Sequence, residues 1–480
     1  MPLPPYVPTS DAPWDARRVH HLYRRLGIGA TPAQVTRALA DGPQATVRQV
    51  LAQARDEPAP PPPPWANWTD DDYDGDLELK SEHHGGLRSS WLRRIAEGSV
   101  RAKWALFWHN HFVTQYEVYF CTALAWDYYA TLDRFALGSF RPFVEAIGTS
   151  AAMLYYLNGR DSVAGEPNEN YARELMELFT MGRDNGYTQT DVVEVSRALT
   201  GWRSDPDYIC ENRVYFDASR FDDTPKTIFG QTGDFGYTEV HDLIFGLRQN
   251  QVAEYICGKL YGHLCYAEPD EAVVAELART FIAGGFEIAP VLAELAGSAH
   301  FFEERFVGAR IKPPLELFAH VLGALEIGGT LLQEEALDNA VYYSLLLGQD
   351  LLDPVDVAGW PGHHAWLNEN TLATRWELLS RWIAQRLAGD ADVRTHLRDR
   401  AIAISGTTTD YEVVVDALVA HWLNAPITAV QREGALRNFR GEIPGNYFDD
   451  GTWNMYFGEA ADQVVNLLLY LIRQPEWQLC

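Results

Sequence analysis

Apolar and aromatic residues recur at three- and four-residue spacing along most of this chain, and that period constrains the fold more than any other feature. Leu22, Leu26 and Ile28 follow the basic stretch Arg17–Arg25, and Trp104, Phe107, Trp108 and Phe112 repeat the spacing. Val252, Tyr255, Ile256, Lys259 and Leu260 do so again, as do Leu345, Leu346, Ala373, Trp376 and Leu379 in their own segments. Strand character is confined to Arg213–Phe216 and Thr227–Phe229, inside a Gly/Asp-rich insertion between Asp205 and Thr238. An ordinary mixed domain would carry far more strand. The pattern predicts an all-α fold: one large, bundle-like, multi-helix domain with a small β-hairpin insertion and a Pro-rich loop.

That loop is the run Pro58–Pro64, which favours an extended polyproline spacer. It divides the chain into an N-terminal helical segment (1–57), a Pro-rich and acidic linker (58–82) and a main helical domain (83–480). Within the linker, Asp70, Asp72 and Asp74, followed by Gly75, match the first half of a calcium loop. The position that should carry a bidentate Glu is Ser81, and prolines occupy the place of the entering helix. A calcium site and a solvated acidic linker are the two readings.

The formal charge is −27, from 39 basic and 66 acidic residues, which disfavours binding to nucleic acid or to an anionic membrane. No segment reaches the ~20 apolar residues of a membrane span. The opening MPLPPYVPTSDAPWDARR has no apolar run after a basic region, so the expectation is a protein without an export signal, in the cytoplasm. Five scattered cysteines suggest neither a zinc ribbon nor a disulfide framework. Fifteen Trp and 23 Tyr fit either a large helical core or platforms that stack on sugars.

Three segments place polar groups inside apolar helices. In the first, His109 and His111 sit in FWHNHF beside Trp104, Trp108 and Phe112. Residues two apart lie about 200° apart on a helix, so both could face one point only at a helix end. In the second, Asn168 is a candidate N-cap, and Asn170, Arg173, Glu174 and Glu177 form one polar stripe. In the third, Thr188 and Asp191 make a capping box, with Glu194 and Arg197 following. The short connection between the last two predicts an antiparallel helical hairpin. Carboxylates on adjacent helices together with histidines are the material of a carboxylate-rich metal site. The expected ligands are His109, His111, Glu174, Glu177 and Asp191. The competing reading is salt bridging, as in an Arg173–Glu177 pair.

FWHNHF, PNENYARELMELFTMG, GYTQTDVVEVSRALTGW and GQDLLDPVDVAGWPGHHAWLN resemble the bacterial family called domain of unknown function 1800. The opening His20–Thr31 and the closing Gln474–Gln478 extend that resemblance over nearly the whole chain. The resemblance implies no settled activity. It implies an extracytoplasmic setting and a sulfatase-like partner, since members often carry an export signal and are often encoded beside such a family. Two departures stand out. Where the family has His-Asp before Lys-Thr, this chain has Phe221-Asp222, and where it has Gly-Gly after Trp-Pro, this chain has Gly362-His363-His364.

The leading expectation is a metal-dependent enzyme. Its oxidoreductase form holds iron, manganese or copper in a pocket walled by Trp104, Trp108, Phe112 and Phe179, with Arg173 or Arg197 orienting an anionic substrate. Its hydrolase form uses the same ligands, with zinc also admissible and Glu194 as base. Trp104, Trp108, Trp202, His363 and His364 are the candidate substrate contacts. The alternative is a non-catalytic scaffold for a glycan or a partner protein. There is no GxSxG elbow, P-loop, GxGxxG or HExxH.

Overall fold

The computed structural model describes residues 2–204, 210, 212–423 and 425–480. Among them are 24 α-helices and two two-stranded antiparallel hairpins, so the all-α expectation holds. Trp202–Ser204 pairs with Val214–Phe216, and Lys226–Ile228 with Gln231–Gly233. Both sit in or beside the insertion read from the sequence, whose residues 205–209 and 211 lie outside the described set.

The helices start where the sequence offers side-chain acceptors. Asp15 accepts from Arg18 N at the head of Ala16–Leu26, Ser99 from Ala102 N at the head of Val100–His109, and Thr188 and Asp191 form a reciprocal box before Gln189–Ala198. One continuous apolar core runs from Tyr6 to Trp477 and takes in Leu22 and Leu26 of the N-terminal segment together with the main helices. The Pro-rich spacer is tied to that body at both ends. Arg101 donates to the carbonyls of Glu57 and Pro58, and the buried Trp65 stacks on His83.

The abundant tryptophan belongs largely to the core. Trp91, Trp104, Trp108, Trp382, Trp422, Trp453 and Trp477 are fully buried. Indole N–H groups of Trp91, Trp108 and Trp382 donate to the carbonyls of Ala102, Ala136 and Ala336, which lets a large side chain enter the interior with its polar atom satisfied. No described helix is long and apolar enough to cross a membrane.

Cys121 and Cys210 form a disulfide that ties the insertion to the helix Thr122–Phe135. The partners are 89 residues apart, a pairing with no local sequence signature.

The three aspartates of the acidic linker are not grouped to hold an ion. Asp70 pairs with Lys80 at 2.6 Å, Asp72 accepts from Thr69 N and Oγ1, and Asp74 ends a single helical turn in the left-handed region. Asp70 and Asp72 are thus committed to a lysine and to a helix start.

Candidate functional site

The helical hairpin expected from the second and third motifs is present. Glu169–Glu174 continues into a π-helical turn, Leu175–Thr180, and packs against Gln189–Ala198. Its carboxylates do not meet the histidines. Arg173 binds Glu169 at 2.9 Å and lies 3.6 Å from Glu177, which also faces Arg183. Asp191 is committed to Thr188 and to Phe229 N, and Glu194 and Arg197 form a network with Asp222, Thr224 and Thr227 N. Glu174 is half-buried, its carboxyl raised by burial and by the neighbouring Glu177.

His109 is equally committed, and its tautomer follows from the bonding. Tyr128 donates its hydroxyl hydrogen to Phe112 O at 2.7 Å, so at 2.8 Å it must accept from His109 Nδ1. The remaining lone pair, on Nε2, accepts from Leu352 N at 3.1 Å. No ring nitrogen is left for a metal. Among the described residues no three His, Cys, Asp or Glu side chains are grouped to hold an ion. The structure does not bring the set His109, His111, Glu174, Glu177 and Asp191 together as ligands: His109 is taken by Tyr128 and Leu352 N, Glu177 by Arg173 and Arg183, and Asp191 by Thr188 and Phe229 N. Trp104 and Trp108 are core residues, Trp202 packs against Phe216 and Tyr237, and His364 is exposed, so none of these four lines the cleft described next.

That cleft, of about 340 Å³, lies between the helices Val100–His109 and Gln249–Leu264, under the loop 358–366. It unites His111, Asn110 and Lys103 of the first motif with Trp360, His363 and Trp366 of the GWPGHH stretch. The loop is held by Asn110, whose Oδ1 accepts from Trp360 N at 2.6 Å. A Cβ at Gly359 would lie 2.3 Å from that oxygen, and φ there is +86°. The same loop carries His363 at φ 46°, backbone strain of a kind that concentrates at functional sites.

Lys259 and His263, one turn apart on Gln249–Leu264, supply the opposite wall, and Arg310 and Glu316 the floor. Lys103 Nζ donates to the carbonyls of Arg24, Arg25 and Gly27, the open end of Ala16–Leu26, and lies 3.5 Å from Glu316. Arg310 pairs with Glu316. Burial alone would raise the Glu316 carboxyl, but Arg310 and Lys103 together hold it down at about 2. His111 donates from Nε2 to Phe179 O at 3.0 Å, which leaves Nδ1 as a buried acceptor without a described partner. Burial holds both His111 and His263 well below the ordinary imidazole range, so both rings are neutral at pH 7. Burial likewise brings Lys259 down to about 8.

The fold and this cleft define an all-α protein with a cation-lined pocket in an acidic chain. A family described as protein of unknown function (DUF1800) matches residues 21–479, and the chain belongs to that family. No curated protein and no solved structure matches it.

Proposed function

We propose that this chain is an enzyme acting on a small anionic molecule held in the cleft, through side-chain amine and imidazole groups. One observation carries this reading. In a chain of net charge −27, the cleft gathers Lys103, Lys259, Arg310, His111, His263 and His363 around a single carboxylate, Glu316, which Arg310 already neutralises. Such local charge reversal draws anions against the field of the whole protein. Its neighbouring imidazoles are neutral and can accept a proton.

Calorimetric titration with sulfate, phosphate and succinate tests the proposal on wild type and on Lys259→Met, which keeps the side chain's length without its charge. At least one anion is expected to bind wild type and to lose about tenfold or more in affinity in the variant, the loss of one charge-assisted contact. Absence of binding by all three, or equal affinity in the variant, overturns it.

We further propose an oxidising, extracytoplasmic setting, supported by the Cys121–Cys210 disulfide, a bond rare in cytosolic proteins. Peptide mapping without reductant, on protein taken from its native cell, should recover the two cysteines linked. Recovery of both as free thiols overturns that setting.

A further inference from the structure

Lysine is scarce here: five of the 39 basic residues, at positions 80, 103, 226, 259 and 312. Four of the five ammonium groups are held by oxygen. Lys80 binds Asp70, Lys103 three carbonyls, Lys226 the carbonyl of Asp222, and Lys312 that of Trp477. Lys259 has no hydrogen bond or ion pair among the described residues; its Nζ lies 5.0 Å from the centre of the Tyr255 ring. It lines both the 340 Å³ cleft and an adjoining cavity of about 730 Å³ between Gln249–Leu264 and Glu271–Ala283, so a ligand reaches it from either side.

We infer that Lys259 is a nucleophilic amine that forms an imine with the carbonyl carbon of a small anionic aldehyde or 2-oxo acid. The inference rests on the anion-binding reading of the same cleft. The neutral amine adds to the carbonyl carbon, the new C–N bond forming as the C=O π pair moves to oxygen. The nitrogen's two protons pass in turn to that oxygen, which leaves as water as the C=N bond closes. Amine and carbonyl compound are consumed, one water is released, and no oxidant or reductant takes part. His111 Nδ1, unpartnered in the wall of the same cleft, is the base available for the proton. Burial favours the neutral amine, the means by which lysines are activated for this step. At pH 8 a group with the value of Lys259 carries roughly a hundredfold more neutral amine than an ordinary lysine near 10.5.

The test is incubation of the full-length protein with glyoxylate and sodium cyanoborohydride at pH 8, followed by peptide mass mapping. Lys259 is expected to be alkylated at least tenfold faster than any other lysine, and saturating sulfate to suppress it. Lys259→Arg, its fold checked by circular dichroism, should lose the fast labelling. If sulfate binds wild type and Lys259 is not labelled ahead of the other lysines, the imine is overturned and the anion site stands. If neither sulfate, phosphate nor succinate binds, the anion-binding reading falls first and the inference with it.

Discussion

Replacing Glu316 with alanine is expected to cost about 3–5 kcal/mol of folding stability, the penalty for leaving buried charge without its partner. Glu316 is 4% exposed and is the carboxylate that faces a cluster of buried cations. Arg310 pairs with it, Lys103 lies 3.5 Å away, and Arg25 stands behind, its guanidinium spent on the carbonyls of Leu264, Cys265 and Phe306. The carbonyls around Lys103 and Arg25 give partial compensation, so Arg310 bears most of the loss. The Cys480 thiol also faces the cluster. Burial opposes its ionisation, but Arg310 and Arg25 pull it below its usual value. Urea unfolding followed by tryptophan fluorescence measures the cost. A companion variant, Glu316→Leu with Arg310→Met, removes both partners at similar volume and should recover at least half of it. A single variant within about 1 kcal/mol of wild type would show that the pair is not what neutralises this interior.

The same cluster shows what could and could not be read from the chain. Helices, the capping box at Thr188 and Asp191, the antiparallel hairpin and the placement of strand in or beside one insertion all follow from local period and capping chemistry, which act over a few residues. The cleft's two most recognisable walls, around His111 and His363, also lie in motifs that stand out in sequence. The expected ligand set rests on side-chain type, whereas the partners that the tertiary fold supplies decide each side chain's role. His109 is taken by Leu352 N, 243 residues away, Glu177 by Arg173 and Arg183, and Asp191 by Thr188 and Phe229 N. Lys259 was visible as the one cation within the apolar spacing Val252, Tyr255, Ile256 and Leu260. A charged group at a core position is a signal in its own right, because burial without a partner is costly unless a ligand provides one. Arg310, Glu316 and His263 carry no such mark, since only the tertiary fold brings their segments together.

Acid is expected to unfold this protein between about pH 5 and 6, above the range in which most carboxylates titrate. Burial lowers His84 and His109 to about 3 and His421 to about 4, and holds His20, His21, His111, His263 and His320 well below their ordinary value. Each is therefore neutral in the folded chain and protonates near 6.5 once unfolded. The unfolded state binds more protons below that pH, so stability is complete above 6.5 and falls as the pH drops toward the folded values. One unit below 6.5 each imidazole costs about 1.4 kcal/mol, and eight cost roughly 10, comparable with the whole stability of an ordinary domain. Asp353 acts in the opposite direction. Burial, with Asp350 and Glu117 beside it, raises its carboxyl to about 7, so the fold gains from its protonation as the pH falls. One such group offsets only a small part of eight, and the raised Glu174, Asp127, Asp133 and Asp350 add to it mainly lower in the range. A pH titration read by tryptophan fluorescence and far-ultraviolet circular dichroism should give one cooperative transition, shifted upward in mild urea. A chain still folded at pH 4.5 would mean that these imidazoles reach solvent or a counter-ion on protonation, and that the interior around His111 and His263 opens to admit charge.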